Sequence, residues 1–392
     1  MRRRKARFIS MFSEFSLVIG RVNALIGYVK TNPHDHFKYL IHLDDLIGIA
    51  RAAGYNPVDT VIQVLPKETV NYAFGYGKID EIANIIREKR INVFIVYNVL
   101  SSTQQLNLER RLSIRVIDRY DLTLEVFERN ANDVLSKMQI ELARLVKVFP
   151  YEKLKASIRY LGNRPGYSAS GEYAYHSVVG SIKRRIKKLQ RELEWRRLIR
   201  LKQLEERRKL GIPIISLAGY YGAGKTSIFN ILTRLNRPVL GIPFTTLSSK
   251  YSSIKLGRNK CLIVDTIGFV AGLDPRVIDA FKLTLDDIRF SDGLILVIDV
   301  SDSLQIMEFR AKTCLSILKD LGISEDKIII AANKIDKNTP DLNLKIKYLE
   351  SLIDTPVIIP CSAHTKIGIN KLAETVIKLV KPHSESNMPP TI

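Results

Sequence analysis

Gly219-Tyr220-Tyr221-Gly222-Ala223-Gly224-Lys225-Thr226 fits GxxxxGK[ST], and it lies between an apolar run at 212–217 and a helical pattern. A strand, a glycine-rich loop and a helix start in that order make a phosphate-binding loop. Successive backbone N–H groups point into one concavity, and the helix adds its positive N-terminal end. Lys225 is placed to reach the outer phosphates of a nucleotide and Thr226 to ligate Mg²⁺, with Ser227 next on the helix.

Three later segments narrow the nucleotide to guanine. Asp265-Thr266-Ile267-Gly268 ends the apolar run 261–264; Asp265 is placed to hold Mg²⁺ through water, and the Gly268 N–H to meet a γ-phosphate. Asn333-Lys334-Ile335-Asp336 follows the run 328–332, and a carboxylate there can accept both N1–H and N2–H of guanine, donors that adenine does not present in that arrangement. Ser362-Ala363 follows the run 357–360 and offers a backbone N–H to the guanine O6. None of these pieces is specific alone; their order and spacing are. In Phe244-Thr245-Thr246-Leu247, Thr246 is the expected mobile threonine that closes on Mg²⁺ and the γ-phosphate, with Thr245 as the competing choice. The expected ligands are therefore GTP or GDP with Mg²⁺, the metal held by Thr226, Thr246 and Asp265. Lys225, Thr246 and Gly268 are the residues expected to act on the transferred phosphate.

Phe269 occupies the position after Gly268 where Ras-like switches carry the glutamine that orients the attacking water. A phenyl ring cannot hydrogen-bond a nucleophile. Either another group or a partner supplies that function, or Phe269 simply packs against a neighbouring helix.

The 392 residues leave room for two or three domains, and 46% apolar with 26% charged residues is the composition of an ordinary globular chain. The net charge of +21 is not ordinary and implies a polyanionic partner. Cys261, Cys314 and Cys361 are widely spaced without a CxxC, so neither a disulfide partner nor a zinc site is expected, and a reducing cytoplasm is the natural compartment. No apolar run reaches membrane-spanning length, and the basic start Met1-Arg2-Arg3-Arg4-Lys5 leads into a stretch broken by Ser13, Glu14 and Ser16, unlike a signal peptide.

Beyond a loose basic tail at 1–15, three regions are expected. Over 16–132, strand-like runs (24–29, 60–65, 93–96, 116–118) alternate with helical patterns (43–53, 79–90, 102–112), which predicts a small parallel α/β domain. Over 133–211 the pattern becomes two long antiparallel helices. Leu135, Met138, Leu142 and Leu145 share one face, Ile182, Ile186, Leu189 and Leu193 another, and a glycine- and tyrosine-bearing loop at 161–176 joins them. Over 212–381 comes the P-loop domain, with strands near 212–218, 251–256, 261–265, 293–300, 327–332 and 356–360; the proline-containing end, 382–392, is expected to be disordered.

The second long helix concentrates the charge. Between Ser181 and Leu210 stand thirteen basic residues against Glu192, Glu194, Glu205 and Glu206, an excess that phosphates would neutralise. Lys183, Arg184, Arg185, Lys187 and Lys188 are the expected RNA contacts on the helix; Arg164, Gly171 and Tyr173 are those near the hairpin tip, where aromatic faces can stack on bases. A solvated charged face and a merely connecting loop are the plain alternatives.

Phe74-Gly75-Tyr76-Gly77-Lys78-Ile79-Asp80-Glu81-Ile82, Ser101-Ser102-Thr103-Gln104-Gln105, Val116-Ile117-Asp118-Arg119-Tyr120-Asp121-Leu122 and Gln139-Ile140-Glu141-Leu142-Ala143, followed by the nucleotide motifs, resemble the successive signatures of the HflX-type GTPases over about residues 40–380. The resemblance implies an N-terminal α/β domain, a two-helix coiled coil and a Ras-like G domain. It also implies a role on the large ribosomal subunit (50S), where the hairpin approaches ribosomal RNA near the peptidyl-transferase region, in ribosome rescue, splitting or stress response. A hydrophobic residue at the Phe269 position is usual in that family, which implies ribosome-assisted hydrolysis; the chain itself is expected to be a monomer.

Some positions depart from the family pattern. Gly222 stands where relatives carry an asparagine that helps hold a potassium ion, so potassium activation does not carry over. The relatives' glycine-rich GPGE-like element with a following TQxE reads here as Ser168-Ala169-Ser170-Gly171-Glu172-Tyr173-Ala174-Tyr175-His176, with Gly171 and Glu172 as the matches, and the chain ends about where the last G-domain helix is expected. Gly75 and Gly77 with Lys78 read either as turn residues or as a small anion-binding nest. A GTPase acting on other RNA, in assembly or tRNA processing, and a GTP-regulated scaffold at an anionic membrane remain the competing functions; Trp195, Leu198 and Ile199 give the latter its apolar residues. Phe269 predicts slow turnover by the isolated protein: phosphate release at low concentration should be slow, and fast release would show that this chain holds its own water-orienting group.

Overall fold

The computed structural model describes residues 22–131, 133–162, 169–209, 212–235, 250–256, 259–272, 281–337, 341–354 and 357–380. The expected tails at 1–15 and 382–392, Arg164 at the hairpin tip, and Phe244, Thr245 and Thr246 lie outside the described residues.

The first unit alternates strand and helix: β1 (Val22–Lys30), α1 (Lys38–Ala52), β2 (Tyr55–Val64), α2 (Tyr76–Glu88), β3 (Val93–Val96), α3 (Ser102–Leu112), β4 (Arg115–Asp118) and α4 (Arg119–Asn130). Its sheet is wholly parallel in the order β2-β1-β3-β4. The two inner strands are buried nearly throughout, as a parallel sheet covered on both faces requires. Several motif residues here are structural. Ser101 and Gln104 form a capping box that starts α3, and the Gln104 side-chain amide also donates to the Thr69 carbonyl at 2.7 Å. Gly75 is the N-cap of α2 with an ordinary extended backbone; its N–H donates to Gln63 at 2.9 Å, and Lys78 pairs with Glu81 at 2.8 Å. The Gly75–Lys78 stretch is thus a helix start and presents no nest.

Two helices follow, α5 (Val134–Gly162) and α6 (Ala169–Lys209). Met138 packs with Leu189 and Leu193, while Glu141 pairs with Arg185 and Lys183 lies over the Phe149 ring, so the helices run antiparallel. The loop expected at 161–176 is corrected. Gly162 still belongs to α5 and α6 already begins at Ala169, so Gly171 and Tyr173 have helical backbone. Ala169, Glu172 and Ala174 are good helix formers, and one glycine in the first turn costs only about 1 kcal/mol.

The last unit contains β5 (Ile214–Gly219), α7 (Lys225–Thr233), β6 (Lys250–Leu256), β7 (Asn259–Asp265), α8 (Lys282–Arg289), β8 (Gly293–Asp299), α9 (Leu304–Asp320), β9 (Ile328–Asn333), α10 (Leu342–Glu350), β10 (Val357–Pro360) and α11 (Ile369–Val380). Its sheet order is β10-β9-β8-β5-β7-β6, with β6 alone antiparallel, the arrangement of a Ras-like P-loop domain. One face packs Phe229, Leu372 and Val376 from α7 and α11. The other packs Met307, Ala311 and Cys314 from α9 and runs on without a break into the apolar face of the first sheet. Phe127 of α4 meets Phe281 edge to face at 4.5 Å within that shared core.

The last residue of β4, Asp118, caps α4 through a bond from the Asp121 N–H (3.0 Å), accepts the Leu100 N–H (2.9 Å), and is paired with Lys147 of α5 in the interior. Removing the cation would strand a buried carboxylate. Lys147→Met is expected to cost about 3 kcal/mol in urea unfolding, and adding Asp118→Asn should recover part of it.

Candidate nucleotide site

The phosphate loop runs from the end of β5 to the start of α7, at the carboxyl edge of the sheet. Gly219 has φ of +146° and a Cβ there would strike the Val297 carbonyl; Gly224 has φ of +103° and its Cβ would strike the Asn333 amide. Both positions therefore demand glycine. Lys225 is 7% exposed, and its ammonium donates to the Gly219 carbonyl at 3.1 Å and the Tyr220 carbonyl at 2.9 Å. Burial brings its pKa down to about 8. This bond pattern folds the lysine back along the loop, facing the concavity. Gly268 approaches so closely that a Cβ would lie 3.1 Å from the Lys225 nitrogen and 3.1 Å from Tyr221 Cα.

The Thr226 hydroxyl donates to Asp265 Oδ2 at 3.0 Å. A hydroxyl and a carboxylate side by side beside the loop are the hard oxygen donors that suit Mg²⁺. Ser227 sits in the first turn of α7.

On the other side of the loop the segments 333–336 and 362–363 are sewn together. Asn333 donates through Nδ2 to the Ala223 carbonyl at 2.8 Å and accepts through Oδ1 from the Ala363 N–H at 3.0 Å. Lys334 pairs with Asp299 at 2.5 Å. The Ser362 hydroxyl donates to Asp336 at 2.6 Å, and that bond is the main cause holding the Asp336 carboxyl below its ordinary range, so it stays an acceptor. Asp336, Ser362 and Ala363 thus come together with the phosphate loop, although more than a hundred residues separate them from it in sequence.

Phe269 is 1% exposed and belongs to the shared core. Its N–H donates to the Gly219 carbonyl at 3.0 Å and its carbonyl accepts from the Tyr221 N–H at 2.9 Å, which lays the backbone after Gly268 along the phosphate loop. Phe269 therefore packs in the core, and its side chain offers no hydrogen bond to a nucleophile.

The positive helix divides into two parts. Lys183, Arg184, Lys187 and Lys188 are exposed, while Arg185, also exposed, is engaged with Glu141 of α5 at 2.6 Å. Towards its C-terminal end, Arg197 binds Asp286 of α8 at 2.6 Å, and Arg200 binds both Asp287 (2.5 Å) and the Tyr251 hydroxyl of β6 (2.7 Å). Those two cations hold the helix on the P-loop unit.

Asp45 and Arg310 are site residues that motif reading passes over. Asp45 on α1 is 2% exposed and accepts the hydroxyls of both Tyr220 and Tyr221, the latter at 2.9 Å. Arg310 lies over both tyrosine rings, at 5.0 and 5.9 Å from their centres, and pairs with Asp302 at 2.6 Å. The sequence carries a signal for the first: Asp45 falls on the buried stripe of α1 between Ile41 and Ile49.

Comparison with known proteins agrees with this geometry. Residues 41–128 match the family model described as GTP-binding GTPase N-terminal, and residues 214–334 the one described as 50S ribosome-binding GTPase. The chain is 37% identical over 269 residues to a GTPase HflX of Saccharolobus solfataricus, a match covering 67% of this chain and 76% of the relative. It is 34% identical to a GTPase HflX of Thermofilum pendens, covering 68% of this chain and 63% of that one. Among solved structures, the crystal structure titled as the SsGBP and GDP complex superposes with a TM-score of 0.53 at 30% identity, over 91% of this chain and 98% of the other.

Burial pushes the Asp45 carboxyl from 3.8 up to about 6, against the pull of the two tyrosine hydroxyls and Arg310. Between pH 4 and 6 the folded chain therefore keeps a proton that the unfolded chain has lost, and this group's contribution to stability falls as pH rises. Asp45→Asn should gain on the wild type by about 2 kcal/mol between pH 4 and pH 7, read as the difference of their urea unfolding free energies at the two values.

Proposed function

This chain belongs to the HflX family of GTPases, and we propose that it is a guanine nucleotide switch that binds the large ribosomal subunit in its GTP form and loosens after hydrolysis. The observation that carries the nucleotide half is Asn333, which joins the phosphate loop to the segment bearing Ala363 beside the carboxylate of Asp336. One short base-reading surface next to a phosphate cradle fits a guanosine di- or triphosphate.

In this reading Lys225 and the loop from Gly219 to Gly224, with Tyr220, Tyr221, Gly222 and Ala223 as its wall, hold the phosphates, and the Gly268 N–H meets the γ-phosphate. Thr226 and Asp265, with Thr246 from the segment 236–249, would hold Mg²⁺, Phe244 and Thr245 preceding Thr246 in the sequence. When bound, the ion would neutralise negative charge on the phosphates. Asp336 accepts from guanine N1–H and N2–H, Lys334 lies along the base, and Ser362 with Ala363 presents the backbone N–H to O6. Because Phe269 offers no hydrogen bond to water, hydrolysis by the isolated chain is slow and the ribosome stimulates it.

We assign the ribosomal half to the helical hairpin. Its exposed cations Lys183, Arg184, Lys187 and Lys188 match the requirement for phosphate neutralisation, with Arg185 released from Glu141 on contact and Arg164, Gly171 and Tyr173 towards the tip. The description of the model matched by residues 214–334 supports the 50S subunit as the polyanion. We read residues 16–132, 133–211 and 212–381 as the three parts, acting as a monomer in the cytoplasm. No helix among the described residues is long and apolar enough to cross a membrane.

Two experiments test this reading. Asp336→Asn should weaken GTP binding by on the order of a hundredfold and strengthen binding of xanthosine triphosphate, whose O2 accepts where guanine donates; unchanged selectivity in competition titrations would remove Asp336 from the base site. Co-sedimentation with isolated subunits should show binding to the large subunit that is tighter with a non-hydrolysable GTP analogue than with GDP, accompanied by faster phosphate release. Binding that ignores the nucleotide would leave the GTPase but refute the ribosomal switch.

A further inference from the structure

Tyr220 and Tyr221 form the middle of the phosphate loop, and their main chain carries two contacts the loop depends on. The Tyr220 carbonyl accepts from Lys225, and the Tyr221 N–H donates to Phe269 at the start of the segment after Gly268. Gly222, the next residue, would meet no neighbour within 4 Å even if it carried a Cβ, so at this point the loop has packing on the tyrosine side only. What fixes them comes from elsewhere in the chain. Both hydroxyls converge on Asp45 of α1, and the rings lie under Arg310 of α9. The Tyr220 hydroxyl also accepts from the Ala271 N–H at 2.9 Å. One carboxylate of the N-terminal unit thus ties together the phosphate loop, the segment 269–271 and helix α1.

We propose that Asp45 is a positioning residue for the nucleotide site, clamping the phosphate loop through Tyr220 and Tyr221, so that guanine nucleotide is held tightly only while α1 stays docked on the loop. This rests on the reading of 219–226 as the nucleotide-binding loop. The clamp acts through the loop and does not touch the nucleotide. Its effect falls on retention of the nucleotide, and the phosphate-transfer step is affected much less. An asparagine at position 45 fills the same space but turns an amide N–H₂ towards one of the two hydroxyl donors, and a phenylalanine at 221 deletes one arm without changing the ring.

The test uses the full-length chain with a fluorescent GDP derivative, following its release after a chase of unlabelled GDP, together with steady-state GTP hydrolysis. Asp45→Asn should release the nucleotide about tenfold faster and Tyr221→Phe about threefold faster, as expected for losing hydrogen bonds to a charged acceptor. The double variant should be no faster than Asp45→Asn alone, because both substitutions break the same bond. KM for GTP should rise by about tenfold while kcat changes by less than about twofold, the split that separates a positioning role from general destabilisation. If Asp45→Asn fails to fold, Tyr221→Phe carries the test, since it removes only a hydroxyl. Release rates within about twofold of wild type in a folded variant, or strictly multiplicative effects in the double variant, would overturn the clamp alone. Failure of the wild-type chain to retain the fluorescent GDP would overturn the nucleotide reading, and the clamp with it.

Discussion

The carboxamide of Asn333 is the constraint on which the nucleotide site depends. A carboxamide can donate and accept at once, and Asn333 uses one end on the Ala223 carbonyl and the other on the Ala363 N–H. Loops leaving β5, β9 and β10 are thereby held in one register at the carboxyl edge of the sheet. Gly224 makes this possible, because any side chain there would occupy the place of the amide nitrogen. Aspartate at position 333 would lack the donor, and leucine would lack both functions and leave a buried carbonyl and N–H unsatisfied.

The same economy appears where the long basic helix meets the P-loop unit. Arg197 and Arg200 contribute to the net positive charge, yet both are spent internally on Asp286, Asp287 and Tyr251. Tyr251 lies in β6, directly after the segment 236–249, and Asp286 and Asp287 lie in α8, a short way beyond Gly268. Elements from two parts of the P-loop unit therefore grip one helix, whose opposite end carries the exposed cations Lys183, Arg184, Lys187 and Lys188.

In the N-terminal unit, the residues that look most like signatures mostly serve the fold. Ser101 with Gln104 starts a helix, Gly75 starts another, and Asp118 ends a strand, caps α4 and neutralises Lys147. Asp45 is the exception. It lies on an apolar helix face, and its partners are in the other unit, so the cost of burying a carboxylate is offset only when the two units are docked.

By itself, the sequence determined the order of strands and helices, the parallel character of the first sheet and the phosphate loop. Each follows from local pattern: alternating apolar runs, glycines at positions of positive φ, and short motifs whose backbone geometry is fixed within a few residues. The helix from Ala169 is not legible locally: glycine and tyrosine favour a loop, whereas the alanines and the glutamate around them favour a helical turn, and the helix wins. Tertiary structure alone decided which charges are free and which are paired, that Phe269 is buried, and that Asp45 reaches Tyr220 and Tyr221 across 175 and 176 residues. The physical reason is that burial and pairing depend on what lies opposite a side chain after the chain has folded back on itself, and no spacing within one segment encodes that neighbour.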